Sequence, residues 1–450
     1  MLKDDVLAEL AATHNVAQFI SVDAGEPPRL RHVVVRDAPE DLADVRQAID
    51  LLLQRSRDRL VNVRTFDPTG PAKSLKFYRG LADVESALTA VSEASSAGYF
   101  SIVNESIDVS DGGVSGVALP EVVEFAPDDT PRVVESGNVL SWTPKHATDL
   151  LRAVYGVDIS GLVVDGKRIE FSVHPRRSGL RRERITVWEV DDARSTSEVT
   201  APLVWPNPFS RLIGDKAFGL LVADQLGLPV PETTVIARRV PTFTFGTPTG
   251  VDEVWLRTAP TIPRPGLYPT VPAWVDPFVL MTNADPDATE IASLLSQRAV
   301  AARWSGATAV SGADESLAEV HGVSGSGEDF MLGTRPAETL PRDVVSDVRE
   351  LLGRAAAKLG PVRMEWAHDG ERAWVIQMHL ATRGPREASV GSADIWMEFD
   401  PTDGLDKLRE LVAEAISVHA GIRLTKPVGI TSHVGEILRD AGVPARFVGA

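Results

Sequence analysis

Two hydrophobic spacings alternate along the 450-residue chain. Apolar residues three and four positions apart, as at Val45, Ile49 and Leu52, predict amphipathic helices. Short apolar runs bounded by Gly, Pro and Asp predict strands. Such runs lie at residues 59–64, 99–103, 116–125, 167–173, 185–190, 254–257, 301–307 and 317–320. The mixture predicts an α+β protein.

Helical segments are predicted between these strands and at both ends of the chain. Residues 1 to about 60 are predicted to be helical, followed by helices at about 146–155, 287–300, 342–359 and 405–419 and a last one from Thr431. The polar stretch 191–197 has no apolar periodicity and predicts a domain boundary. We therefore divide the chain into residues 1–198, 199–384 and 385–450.

The composition narrows the class of protein. The 46 Lys and Arg residues against 63 Asp and Glu give a net charge of −17, which disfavours broad binding to nucleic acid. The chain has no cysteine, and this excludes disulfides and thiolate metal sites. The N-terminal segment is an acidic amphipathic helix rather than a signal sequence, and no apolar run reaches the length of about 18 residues that a membrane span needs. We expect a cytoplasmic protein without a membrane partner.

Residues 362–379 are the most informative segment. Apolar residues at every second position predict a β-hairpin with one apolar face. If the pairing keeps that face continuous, Glu365 and Gln377 lie together on the opposite face. A carboxylate and an amide oxygen side by side suit Mg²⁺, which prefers hard oxygen ligands. The same spacing is also typical of a solvent-facing polar row.

Three further features suit an anionic ligand. Lys216 lies one turn into a predicted helix behind Gly214, where backbone N–H groups and an ammonium favour phosphate. Arg257 ends an apolar strand, a position from which a guanidinium can bind phosphate in bidentate fashion. The Gly/Ser loop at 322–327 could cover phosphates or act as a flexible connector.

In chain order these segments resemble the ATP-grasp nucleotide-binding domain of the phosphoenolpyruvate synthase and pyruvate phosphate dikinase family. The resemblance covers about residues 205–385. Its motifs are Gly214-Asp215-Lys216, Gly227-Leu228-Pro229-Val230-Pro231, Arg257-Thr258, Ser305-Gly306, Gly325-Ser326-Gly327-Glu328, Met364-Glu365-Trp366 and Ile376-Gln377-Met378. Two positions depart from the family pattern, because Ala259 stands in place of a Ser and His379 in place of an Arg.

The resemblance implies an ATP-grasp fold that binds ATP and Mg²⁺. By this resemblance Lys216, Arg257 and Glu328 belong to the ATP site, and Glu365 and Gln377 hold the Mg²⁺ ion. The family's pyruvate-binding barrel needs about 250 residues, and no such stretch remains after the ATP-grasp segments are assigned, so we do not expect phosphoenolpyruvate synthesis itself.

The first 198 residues repeat part of the same plan. Arg64-Thr65, Ser115-Gly116 and Ile169-Glu170-Phe171 follow at spacings close to those of the second block, and the strand with Glu189 would stand for the strand with Gln377. We therefore predict two related ATP-grasp-like halves. Since no Gly-x-Lys helix precedes Arg64, the first half is expected to lack one phosphate-binding element and to be a degenerate or acceptor-binding domain.

The tail resembles the phosphohistidine segment of the same family. Thr431-Ser432-His433 would open a helix that closes at Arg439, Gly442, Pro444 and Ala445. A helix N-terminus stabilises an anionic phosphate, and a neutral imidazole is nucleophilic at physiological pH. His433 is thus a candidate catalytic residue in a small swivelling α/β unit, with a linker near residues 383–392. A solvent-facing histidine in an ordinary capped helix fits the same pattern.

These features predict an ATP-dependent phosphotransferase that moves phosphate through His433 to an unidentified acceptor. Two alternatives remain open. An ATP-grasp ligase would activate a carboxylate instead, and a nucleotide-sensing protein would bind ATP without chemistry.

Overall fold

The computed structural model describes residues 2–68, 74–131, 138–193, 203–262, 267–268, 270–309, 319–380, 392–428 and 432–446. The chain divides into two compact units, Met1–Phe209 and Ser210–Ala450. Both boundaries predicted from the sequence, after residues 198 and 384, lie outside the described residues, as does most of the predicted linker.

The first unit is an α+β domain. Its helices are α1 Lys3–Leu10, α2 Val45–Arg55, α3 Val84–Ser96 and α4 Pro144–Tyr155. Its strands are β1 Phe19–Val22, β2 Leu30–Val34, β3 Val61–Phe66, β4 Ser74–Leu81, β5 Phe100–Glu105, β6 Val114–Ala118, β7 Val123–Pro127, β8 Leu140–Trp142, β9 Lys167–Ser178 and β10 Glu183–Asp192.

The second unit is also α+β. Its helices are α5 Pro208–Ile213, α6 Asp215–Gln225, α7 Pro277–Ala284, α8 Glu328–Met331, α9 Arg342–Leu359, α10 Leu405–Val418 and α11 His433–Ala441. Its strands are β11 Thr233–Ala237, β12 Phe243–Phe245, β13 Val254–Pro260, β14 Thr270–Val271, β15 Ile291–Arg298, β16 Trp304–Ala309, β17 Glu319–Ser324, β18 Val362–His368, β19 Ala373–Leu380, β20 Trp396–Phe399, β21 Gly421–Leu424 and β22 Ala445–Arg446.

The two units share their strand order. In the first, the sheets run β2-β1-β5-β3-β4 and β10-β9-β6-β7-β8, and in the second they run β12-β11-β15-β13-β14 and β17-β16-β18-β19. Each strand from β1 to β7 therefore has a counterpart from β11 to β17, and β9 and β10 correspond to β18 and β19. The first unit adds β8 at one edge. The prediction of two related halves is confirmed at the level of topology.

The register of the strands matches as well. Glu170 pairs with Val117 on one side and Glu189 on the other, just as Glu365 pairs with Ala307 and Gln377. In both hairpins a β-bulge follows directly beside that pair. A bulge bends a strand and re-aims its side chains, so the shared defect gives both pairs the same local geometry.

The end of the second unit has its own small core. Strands β20, β21 and β22 form a parallel three-stranded sheet, and helices α10 and α11 pack together beside it. Buried apolar residues from all these elements form one cluster that includes Phe399, Leu408, Ile422 and Leu438. Residues 396–428 and 432–446 thus form an α/β layer with its own core inside the second unit, and a separate third domain stays a prediction.

Two predictions of secondary structure are wrong. The predicted helix at 287–300 is the central strand β15, which is paired on both sides and buried on both faces, so its apolar residues run on without alternating. The predicted all-helical segment 1–60 contains β1 and β2, and β1 is likewise an inner strand buried along its whole length.

None of the helices among the described residues combines the length and the hydropathy that a membrane span requires.

Gly214, immediately before α6, lies where the helix meets the sheet. Its φ is +89°, and a Cβ atom there would lie 2.6 Å from Ala259 Cβ and 2.8 Å from the Ala259 carbonyl oxygen. We expect Gly214→Ala to lower the free energy of unfolding of the second unit by about 1–3 kcal/mol, the usual cost of overpacking, with the left-handed backbone adding to it.

Thermal unfolding followed by tryptophan fluorescence measures this effect. Gly161→Ala is the matched control, because a Cβ at Gly161 meets nothing within 4 Å. Equal melting temperatures for the two variants would contradict the assignment of Gly214 to a close contact.

Candidate functional site

The second unit contains a cavity of about 440 Å³ where its two large sheets meet. Of the residues singled out in the sequence, Arg257, Glu328, Glu365 and His433 line it. Apolar side chains line it as well, among them Trp255, Tyr268, Met331 and Leu332. A concave site with an apolar lining and a few convergent charged groups is the usual form of a small-molecule site.

The Arg257 guanidinium is the hub of this site. Its Nη2 donates to Glu365 Oε2 and to Gln377 Oε1, each at 3.1 Å. Its Nη1 donates to Gln297 Oε1 at 3.2 Å and to the Ile376 carbonyl oxygen at 2.8 Å. Since Arg257 belongs to the sheet of β11–β15, and Glu365 and Gln377 to the sheet of β16–β19, one side chain joins the two sheets.

The convergence of Glu365 and Gln377 follows from the hairpin. The two residues pair directly across β18 and β19, as predicted, and the adjoining bulge shifts the pairing so that Trp366 faces Val375. The bulge also leaves Ile376 out of the pairing, and Ile376 accepts from Arg257 through its backbone and lines the cavity.

The charged groups of the site shift the pKa values of Lys216 and Glu365. Burial and the charge of Arg257 lower the pKa of Lys216, on α6, to about 8, although the carboxylates of Glu365, Glu436 and Asp215 act in the opposite direction. Burial by itself would raise the pKa of Glu365, but the charges of Arg257 and Lys216 help to hold that pKa below its usual value. Glu365 is therefore a carboxylate at neutral pH.

His379 orients the amide of Gln377. Its Nδ1 lies 2.7 Å from Asp215 Oδ2, and its Nε2 accepts from Gln377 Nε2 at 2.5 Å, since an amide nitrogen can only donate. The Gln377 oxygen is thereby turned toward Arg257 and Glu365. His379, which stands where the family has an Arg, thus holds the amide of Gln377 in place.

The Gly/Ser loop borders the cavity. Ser326, Gly327 and Glu328 line it, and Ser305 Oγ donates to the Gly325 carbonyl oxygen at 2.5 Å. A Cβ at Gly327 would lie 2.9 Å from that hydroxyl. The pair Ser305-Gly306 and the loop are therefore in contact, and the loop is held against β16.

His433 is the first residue of α11, which Ser432 caps by accepting from Gly435 N. Its Nδ1 lies 3.4 Å from Glu436 Oε2, and the other oxygen of Glu436 forms an ion pair with Arg363 on β18. Burial would raise the pKa of Glu436, but Arg363 and His433 lower it far below its usual range. Thr431, named with His433 in the sequence, lies outside the described residues.

Sequence reasoning did not find Gln297, Arg363 or Glu436. Arg363 lies two positions before Glu365, and Glu436 three positions after His433 on a helix, so strand and helix periodicity place them on the same faces as known candidates. Gln297 carried no such signal, because its segment was predicted to be helical.

Comparison with known proteins identifies no family for this chain. No protein-family model matches the sequence, and no curated protein matches it either. The chain is similar to solved structures of D-alanine-D-alanine ligase from Helicobacter pylori, with 9% identity over 38% of this chain and 52% of that one and a TM-score of 0.26. It is also similar to D-alanine-D-alanine ligase from Bacillus anthracis in complex with ATP, with 10% identity over 51% and 66% and a TM-score of 0.27. A RimK-domain ATP-grasp protein from Sphaerobacter thermophilus gives 18% identity over 38% and 58% and a TM-score of 0.23.

The chain spans about half to two thirds of the length of these proteins. They are ATP-grasp proteins rather than members of the phosphoenolpyruvate synthase and pyruvate phosphate dikinase family, and the ligases among them correspond to the ligase alternative stated above. At TM-scores this low the alignments carry no argument about function. The α+β fold of this chain is established by its own strand order and register.

Proposed function

We propose that the second unit is an ATP-dependent enzyme that transfers a phosphoryl group from Mg·ATP in the cavity between its sheets. The observation that carries this proposal is the convergence of Glu365 and Gln377 on Arg257 at the cavity wall, with Lys216 close by. Phosphoryl transfer needs positioning and neutralisation of charge more than covalent help from the protein.

The donor set fits Mg²⁺. One carboxylate oxygen and one amide oxygen lie at equal distances from a single guanidinium nitrogen, so both are aimed at one point. Mg²⁺ takes hard oxygen ligands and is usually held by one or two protein groups together with substrate phosphates. Glu365 and Gln377 would hold the ion, which supplies neutralisation of the charge on the ATP phosphates.

The cations have separate tasks in this proposal. Arg257 leaves its internal partners to bind phosphate oxygens, and a planar guanidinium can do so with two parallel hydrogen bonds. Lys216 adds a point charge. Glu328 and the Gly/Ser loop border the phosphates, and the apolar side chains of the cavity exclude water.

Two acceptors are open, and each gives a different enzyme. A bound carboxylate as acceptor would make the protein an ATP-grasp ligase. His433 as acceptor would make it a phosphotransferase, and the specific observation in favour of this is that His433 lines the same cavity as Arg257 and Glu365. In that case Glu436 accepts the Nδ1 proton of His433, which leaves the Nε2 lone pair available as the nucleophile.

Lys216 predicts a pH dependence of ATP binding. Its pKa of about 8 in the free protein means that it loses its charge as the pH rises through 8, while bound phosphate favours the charged form. We expect ATP affinity to fall above pH 8 by up to about tenfold per pH unit. Lys216→Met should bind ATP at least about tenfold more weakly at pH 7, because a charge-assisted bond contributes about 1.5–3 kcal/mol, and its profile should be flatter.

Isothermal titration calorimetry with Mg·ATP from pH 6.5 to 9.5 tests this. Lys145→Met, an exposed lysine on α4 of the first unit, is the control and should behave as wild type. An unchanged slope in Lys216→Met would show that another group titrates.

The acceptor is decided by following the phosphate. If His433 accepts it, incubation with γ-labelled Mg·ATP gives an acid-labile, base-stable label on His433. Glu436→Ala should slow the labelling about tenfold or more with little change in ATP affinity, because it removes the partner that fixes the ring and not a phosphate ligand.

Absence of label on His433, together with ADP release that depends on added carboxylate and amine, would establish the ligase instead. Binding of ATP with neither label nor ADP would leave the nucleotide-sensing alternative.

A further inference from the structure

The first unit contains the counterpart of the phosphate site, residue by residue. Arg64 pairs with Ile102 on β5, as Arg257 pairs with Leu295 on β15, and Glu170 pairs with Glu189 as Glu365 pairs with Gln377. Arg64 Nη1 donates to Glu189 Oε2 at 2.9 Å, which reproduces the bond from Arg257 to Gln377. The hub between the two sheets is therefore present in both units.

A lysine is present as well, contrary to expectation. Helix α1 precedes β1 and packs against β10, as α6 precedes β11 and packs against β19. Lys3 on α1 forms a buried ion pair with Glu189 and a second one with Asp191 at 3.0 Å. The absence of a Gly-x-Lys motif therefore did not mean the absence of the charge.

One difference between the two sites is an amide. Where the second unit has Gln377, which is neutral, the first has Glu189, and its two oxygens take the lysine and the arginine separately. The four matched positions hold two cations and one carboxylate in the second unit, but two cations and two carboxylates in the first. In the first unit the lysine and the arginine are thus both paired with one carboxylate of the chain itself.

Burial and space agree with the charges. The side chain of Glu170 is 2% exposed, against 17% for its counterpart Glu365. The space between Lys3, Arg64 and Glu189 holds about 10 Å³. A single water needs about 10–15 Å³, so a phosphate group does not fit between these three side chains.

We infer that the first unit is a closed copy of the site, in which the Glu189 carboxylate takes the place of a bound phosphate between Lys3 and Arg64. The chain then binds one nucleotide, and Glu189 is the residue that excludes anions from the first unit. The conclusion that the chain binds one nucleotide rests on the proposed function of the second unit. The closure of the first unit does not depend on that function.

The first experiment counts sites on the full chain. Equilibrium dialysis with Mg²⁺ and the β,γ-imido analogue of ATP is expected to give one site per chain, and none at the same affinity in Lys216→Met. Two sites in the wild type would overturn the closure, whereas one undiminished site in Lys216→Met would refute the role of Lys216 in the second unit. No site in the wild type would refute the proposed function and leave the closure to be decided by the second experiment.

The second experiment opens the closed site. In the Lys216→Met background, Glu189→Gln removes the carboxylate that Lys3 and Arg64 share, so the melting temperature should fall and millimolar pyrophosphate should raise it again by several degrees. Glu189→Asp keeps the charge and is the matched control, with no response to pyrophosphate expected.

No response of Glu189→Gln, or an equal response of Lys216→Met alone, would overturn the role of Glu189. If Glu189→Gln does not fold, the count of sites in the wild type and in Lys216→Met still decides whether the first unit is closed.

Discussion

The guanidinium between two sheets is the interaction on which each unit depends. Arg257 ties β13 to the β18–β19 hairpin through four acceptors, and Arg64 ties β3 to β10. A charged group that is 12% exposed would be costly without partners, so the sheets must meet where the guanidinium can be satisfied. That meeting point is the cavity in one unit and a closed ion-pair cluster in the other.

The comparison of the two units explains what the cavity requires beyond the fold. Strand order, register and the bulge are the same, so these features place the side chains but do not by themselves open a site. The two units differ at the position of Gln377, where the first unit has Glu189, whose carboxylate forms ion pairs with Lys3 and Arg64. By our inference this carboxylate is what closes the first site.

Much of this could be predicted from local patterns. Alternation in 362–379 was enough to place Glu365 beside Gln377, and the spacing of Arg64, Ser115 and Glu170 predicted the repeat. The predictions that failed concern elements whose environment is set by residues far away in the sequence. Strand β15 is buried on both faces by pairing with β11 and β13, so it lost the alternation that identifies strands. The hydrogen bonds from Lys3 to Glu189 and from Arg363 to Glu436 join residues far apart in the sequence, and no local motif predicts them.

The central claim is that Arg257 exchanges its internal carboxylate and amide partners for phosphate oxygens. The most direct measurement is a crystal structure of the full chain with Mg²⁺ and the β,γ-imido analogue of ATP. The account predicts phosphates in the cavity of the second unit, a cation on Glu365 and Gln377, and the Arg257 guanidinium turned from these two residues to the phosphates. Phosphates bound elsewhere, or an Arg257 that keeps its bonds to Glu365 and Gln377 beside a bound nucleotide, would contradict it.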